Sequence, residues 1–283
     1  MSTFTHDPRE HIRGIHQIFI SDKKRIGFLF GAGTSFATGI STVQIPAIAK
    51  MTAAVIEELG KISPKMKTAV DGIKAEIEAK KDQGGDPFNI ESLLSTVEAK
   101  GEVVGAGTLN GLNATELVEL IKAIKSQVKT LVSIHEKITA SDIPNLAHSK
   151  VASWISKARR TYPAEIYTTN YDYLYEIALE HFGIAYFDGF SGSYEPFFCS
   201  EAVEDIKAYA QLIKLWKLHG SLGWRLRKRD EGVIKDKSAS AEDLMIFPSY
   251  LKYSNCKKQP YVGLIDRLCT FLQQDDAVLI TCG

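Results

Sequence analysis

The sequence predicts an α/β fold: a mostly parallel sheet with helices on its faces, carrying a large helical insertion or subdomain. Three observations lead there. A compact β-rich run over 25–30 stops at a glycine turn, strand and helix patterns alternate again after Ala164, and strand signals nearly vanish in between. Alternation of this kind favours a parallel sheet, because a parallel connection crosses over through a helix. A chain of 283 residues is long enough for one large domain or for a domain with a second one inserted.

From Glu10 to about Ser21, Ile12, Ile15, Ile18 and Phe19 recur at helical spacing, which predicts a short amphipathic helix. Arg25 to Phe30 follows as a strand, Ile26-Gly27-Phe28-Leu29-Phe30, and after the glycine turn Thr34 or Ser35 can open a helix. From Ile45 to roughly Arg160, Ala, Lys, Glu and Leu dominate in helical patterns. The clearest runs from Asn113 to about Lys137. Asn113 and Glu116 stand at capping-box spacing, and Leu117, Leu120, Ile121, Ile124, Val128, Leu131 and Val132 form one stripe. Lys80 to Pro87 and Gly101 to Gly111 read as loops.

Glu165 to Thr169 is β-prone and precedes a helix from Tyr171 to about His181. Gln211 to Leu218, Leu244 to Phe247 and Ala277 to Cys282 read as further strands, with a helix from Pro260 to about Gln274 before the last. The expected division is a nucleotide-binding domain formed by 1–40 and 161–283 around a helical insertion over 41–160. That domain is expected to continue past Gly283, since a buried-looking strand at Thr281-Cys282 normally leads into a covering helix.

Formal net charge is zero, so the chain has no overall basic field to attract nucleic acid, and no direct nucleic-acid binding is expected. The run Arg225-Leu226-Arg227-Lys228-Arg229 is followed at once by Asp230 and Glu231 and reads as a solvated loop. Cys199, Cys256, Cys269 and Cys282 form no C-x-x-C pair, which argues against a zinc module and for a reducing compartment. The N-terminus lacks the blocks of a signal peptide and no apolar run approaches spanning length. The expectation is a cytoplasmic protein with no membrane association and no metal.

Three polar constellations fall at predicted strand ends, the edge where open α/β sheets bind ligands. In Gly31-Ala32-Gly33-Thr34-Ser35, glycines let the backbone turn sharply and approach a phosphate, and the helix start adds amide donors. A plain strand–helix turn would also use glycine. In Thr168-Thr169-Asn170-Tyr171-Asp172, the Asn170 amide can orient a ribose hydroxyl or a water, while Asp172 serves equally well as a helix cap. In Lys217-Leu218-His219-Gly220-Ser221-Leu222, His219 suits a general base near neutral pH and Gly220 allows close backbone approach. The other histidines, His6, His11, His16, His135, His148 and His181, read as structural. Together the three strand ends point to a dinucleotide held against the glycine turn.

In this order, Gly-Ala-Gly-x-Ser, Thr-x-Asn-x-Asp and His-Gly resemble the motif set of the sirtuin superfamily. Thr168 to Glu176, Asp188-Gly189-Phe190 and Ile246 to Tyr253 look closer to the sirtuin-like domains of bacterial anti-phage defence proteins. The resemblance implies a Rossmann-like NAD-binding domain in two blocks, with NAD as substrate. It implies an NAD+ hydrolase that releases nicotinamide and ADP-ribose as the NAD-depleting effector of an abortive-infection system. Implied partners are further copies of the chain, a partner defence protein or a further C-terminal domain. By position, His219 would be the base, Asn170 would hold the ribose and an attacking water, and Asp172 would support the ribose or its loop. Gly31, Ala32, Gly33, Thr34 and Ser35 would hold the phosphates, with Thr169, Gly220 and Ser221 as further NAD contacts.

The departures weigh against a deacylase. Where sirtuin deacylases continue Gly-Ile-Pro-Asp-Phe-Arg, this chain reads Gly39-Ile40-Ser41-Thr42-Val43-Gln44, and the four-cysteine zinc module is missing. An NAD-dependent protein deacylase and a non-catalytic NAD sensor remain the alternatives.

Overall fold

A computed structural model describes residues 7–41, 43–80, 87–158, 160–227, 229–230, 232–236, 245–246 and 259–283. The chain opens with α1 (Pro8–Ile20), β1 (Arg25–Phe30) and the short α2 (Ala32–Phe36). Four helices follow: α3 (Ile48–Ile62), α4 (Pro64–Ala79), α5 (Ile90–Val103) and α6 (Ala114–Val132), and then α7 (Ala147–Lys157). The remainder alternates: β2 (Glu165–Thr168), α8 (Leu174–His181), β3 (Tyr186–Phe187), β4 (Phe190–Ser191), β5 (Phe197–Phe198), α9 (Ser200–Glu204), β6 (Ile213–Lys217), β7 (Trp224–Leu226), β8 (Val233–Lys235), α10 (Tyr261–Leu272) and β9 (Ala277–Cys282).

The central sheet has five strands in the order β3–β6–β2–β1–β9, and every pairing is parallel. Phe30 pairs with Thr168 and with Cys282, and Thr168 pairs with Lys217. The strands therefore end level, and the residues just beyond them share one edge. Both faces are apolar, as a parallel sheet covered on both sides requires. Ile26, Phe28, Phe30, Ile166 and Leu215 pack with Ala152 of α7 and Tyr175 and Leu179 of α8. Leu29, Tyr167 and Trp216 pack on the other face with Leu264 and Phe271 of α10. The fold is α/β and Rossmann-like.

A second sheet, with antiparallel pairings in the order β4–β5–β8–β7, was not foreseen. Its strands are two or three residues long, too short to carry a period of two. Helices α3–α6 bury a core of their own around Val55, Leu59, Val70, Ile73, Leu93, Leu94, Leu117, Leu120 and Ile124. The capping box at α6 forms: Asn113 accepts from the Glu116 amide at 3.0 Å, and the Asn113 amide donates to Glu116 Oε2 at 3.0 Å. The helix stops at Val132, short of Lys137, because Ser133 leaves helical geometry and Ile134 turns into a separate cluster with Val43, Leu146 and Leu174.

Other boundaries shift for local reasons. Of α1, Ile18 and Phe19 pack on the sheet, while Ile12 and Ile15 are exposed. Arg160 anchors that end by donating to the carbonyls of Phe19 at 2.9 Å and Lys24 at 2.8 Å. α8 starts at Leu174, not Tyr171, since Asp172 Oδ1 accepts from the Leu174 amide at 3.0 Å and holds the preceding residues in a turn. Of the expected strand from Leu244 to Phe247, Met245 bridges Gly220 and the Ile246 amide donates to the His219 carbonyl at 2.7 Å. Leu244, Phe247 to Tyr253, Cys256, Lys228, Glu231, His6, Thr42 and residues 81–86 lie outside the described residues. No helix among the described residues is long and apolar enough to cross a membrane.

The turn after α2 is welded to the start of α7. The Ala147 amide donates to the Thr38 carbonyl at 2.7 Å, and Gly39 adopts φ +90°. A Cβ on Gly39 would lie 2.9 Å from the Asn145 carbonyl oxygen. Gly39→Ala combines a disfavoured backbone with a backbone collision and is expected to cost about 1–3 kcal/mol. Urea unfolding of the variant measures this, and an unchanged midpoint would remove the weld.

Candidate functional site

Backbone hydrogen bonds carry the sheet one residue past its strand ends. The Gly31 amide donates to the Cys282 carbonyl at 2.7 Å, the Thr169 amide to Phe30 at 3.1 Å, and the Leu218 amide to Thr168 at 2.8 Å. The glycine turn, the Asn170 loop and the His219 loop thus leave the sheet side by side. Sequence reasoning expected the glycines to clear space for a phosphate. The structure shows another constraint on Gly33: a Cβ there would collide with the backbone of Gly283. Nor do the Thr34 and Ser35 side chains open α2, which starts at Ala32 with Gly31 as its N-cap. Thr34 Oγ1 instead donates back to the Gly31 carbonyl at 2.8 Å, and Ser35 Oγ donates to Asp172 Oδ2 at 2.6 Å.

Asn170 crosses between the two loops. Its side-chain nitrogen lies 3.0 Å from the Gly31 carbonyl oxygen, 3.0 Å from Thr34 Oγ1 and 2.7 Å from Ser35 Oγ. A carbonyl only accepts, so the atom facing Gly31 must be the NH2 group. Oδ1 accepts no hydrogen bond among the described residues, which leaves an acceptor at the strand edge. Asp172 is buried and works inside the scaffold, holding Ser35 and the start of α8.

Gly33, Ser35, Asn170 and His219 line one cavity of about 530 Å3, together with Ala32 and Thr169. This is within the usual size range of small-molecule sites. Its opposite wall is apolar: Phe36, Ile45, Ile48 and Met51, with Ile90 of α5 and Val128 and Val132 of α6. Tyr171 and Ile246 close it beside His219. Among the described residues, none that lines it is Lys, Arg, Asp or Glu. Gly31, Thr34, Asp172, Gly220 and Ser221 are not among them. Gly220 has φ +83°, which lets the chain reverse directly after His219. Ser221 is fully buried, donating to the Tyr171 carbonyl at 3.2 Å. Among the described residues no group of three or more His, Cys, Asp or Glu gathers as a metal ion would need.

Sequence reasoning missed the apolar wall. Val128 and Val132 belong to a helical stripe that looks like ordinary core, and their period carries no sign that the stripe also faces a cavity. It also took His148 as an unremarkable helical residue. The His148 side chain on α7 is buried, packs edge-on to Tyr175 with centroids 4.7 Å apart, and has no hydrogen-bond partner on either ring nitrogen among the described residues.

Burial holds the His148 imidazole below its ordinary pKa, and the negative charge of Asp172 offsets this only in part. The unfolded chain, with a histidine pKa near 6.5, takes up the proton first as pH falls. Stability from His148 is complete above about pH 6.5 and is lost as pH drops from there toward the folded value. Denaturant unfolding is expected to show a falling midpoint from pH 7 to pH 5.5, with a shallower fall in His148→Phe. Equal slopes in the two proteins would clear His148 of the effect.

A comparison with curated proteins finds no match. Residues 164–283, less than half of the chain, match the family model described as a SIR2-like domain. The match takes in Asn170, Asp172 and His219 but not the glycine turn that the structure sets beside them. The stretch from 164 to 283 is a sirtuin-like domain.

Proposed function

We propose that the chain is an NAD+ hydrolase that cleaves the nicotinamide–ribose bond to give nicotinamide and ADP-ribose. The observation that carries this reading is the shared cavity: Gly33, Asn170 and His219 arrive from three strand ends and line one space. The SIR2-like match supports NAD as the substrate class. Ala32, Gly33 and Ser35 would face the phosphates, with Thr169 as a secondary contact, whereas Thr34, Gly220 and Ser221 do not line the cavity. Residues 1–40 and 161–283 would form the NAD-binding domain, and the helical subdomain 41–160 would supply the apolar wall. We further propose that the activity serves NAD depletion in anti-phage defence, within an assembly of several copies or with a partner protein.

In the reaction the C–N bond breaks, nicotinamide leaves with the electron pair, and positive charge builds on the ribose anomeric carbon. Described lining residues without a cationic side chain avoid repelling that charge, and the apolar wall strengthens every remaining electrostatic contact. Asn170 Oδ1 can accept from a ribose hydroxyl or from the attacking water. As the water oxygen bonds to the anomeric carbon, His219 takes the proton it releases. Holding the water and the ribose together supplies the proximity term.

Incubating the full chain with NAD and following nicotinamide and ADP-ribose by chromatography tests the reading. The parent is expected to release both products in equal amounts without an acylated peptide. His219→Ala and Asn170→Ala are expected to lower the rate by roughly 100-fold or more while their circular dichroism stays parental. Release that requires an acetylated peptide would transfer the assignment to a deacylase, and parental turnover in His219→Ala would end the role of that residue.

A further inference from the structure

We propose that Lys217 is a positioning residue: its buried ammonium ties the loop carrying Asn170 to the loop carrying His219 and sets how the two meet across the cavity. The activity part of the test rests on the NAD-cleavage reading; the structural part does not. Lys217 ends β6, and its side chain is only 2% exposed. Lysine is rarely buried to this extent unless its charge is met on all sides. Here the ammonium donates to Glu176 Oε1 at 2.8 Å, Ser221 Oγ at 2.7 Å, the Tyr171 carbonyl at 3.3 Å and the Asp172 carbonyl, with the Tyr173 ring centroid 5.2 Å away.

These partners come from both sides of the candidate site. Tyr171 and Asp172 directly follow Asn170, and Ser221 stands two residues after His219. Because α8 starts only at Leu174, the carbonyls of Tyr171 and Asp172 are not spent inside a helix and converge on one point. Two carbonyl oxygens, a hydroxyl and a carboxylate at one point call for a cation with several protons. Neighbouring bonds follow the same seam: the Leu222 amide donates to the Tyr171 carbonyl at 3.0 Å, and the Tyr173 hydroxyl to the Leu222 carbonyl at 2.6 Å.

A purely structural role would make Lys217 the counter-charge of Glu176, whose side chain on α8 is 13% exposed and whose Oε2 has no partner among the described residues. The two roles separate in a variant that removes both charges. Lys217→Met alone strands a buried carboxylate and destabilises the fold, whereas Lys217→Met/Glu176→Gln leaves no unpaired charge. The double variant is expected to unfold near the parental midpoint, yet to turn NAD over with a kcat roughly 10- to 100-fold lower at little-changed KM. Glu176→Gln alone, which keeps the lysine on both loops, is expected to retain most of the parental kcat. Amide hydrogen exchange is expected to quicken in the double variant at both 171–173 and 220–222. A double variant with parental kcat, or one that does not fold, would assign Lys217 to charge balance or stability and overturn the proposal. If the parent itself releases no nicotinamide, the NAD-cleavage reading fails. The positioning claim then stands or falls on exchange alone, and unchanged exchange at both loops overturns it.

Discussion

The level ending of three parallel strands is the constraint on which the candidate site depends. Phe30, Thr168 and Lys217 occupy matched positions in β1, β2 and β6, so the chain leaves the sheet at one height three times. A one-residue slip in any pairing would turn each side chain of that strand to the opposite face. Such a slip would also take Ile26, Ile166 or Leu215, all fully buried, out of their packing with α7 and α8 and force them into the other layer. The hydrophobic packing of both faces therefore enforces the register, and the register assembles the site.

Buried polar groups mark both ends of the sheet. At the N-terminal end, Glu165 Oε2 accepts from the Tyr167 hydroxyl and from Trp216 Nε1, each at 2.8 Å. At the C-terminal end, Lys217, Glu176, Ser221, Asp172, Ser35 and Asn170 link one loop to the next through side chains. Networks of this sort are costly to bury and stabilise only when satisfied, so they specify one arrangement over near alternatives. Asp172 illustrates the difference between being near a ligand site and being in it. It does not line the cavity, but it holds Ser35, which does.

The cavity itself joins two unlike walls. Its polar edge belongs to the parallel sheet, and its apolar side is borrowed from helices whose own core lies behind them. A movement of α3 or α6 relative to the sheet would change the dielectric around Asn170 and His219 without touching either residue. The polarity around Asn170 and His219 thus depends on how the helices pack against the sheet.

The amino-acid order by itself determined the α/β class, the strands β1, β2, β6 and β9, the helices α6 and α10, and the polar residues that stand just past strand ends. Those features are local: a run of β-branched and aromatic residues, a capping pair three apart or a stripe at helical spacing is visible without knowing what it packs against. Only the tertiary structure decided that Gly33 abuts the end of β9, that Lys217 is buried between two loops, that Val128 and Val132 face a cavity, and that His148 lies buried with no hydrogen-bond partner among the described residues. Each of these is a relation between residues far apart in the chain. Periodicity and propensity report the conformation of a segment, whereas the space left beside a glycine or the charge that meets a buried lysine exists only once distant segments have come together.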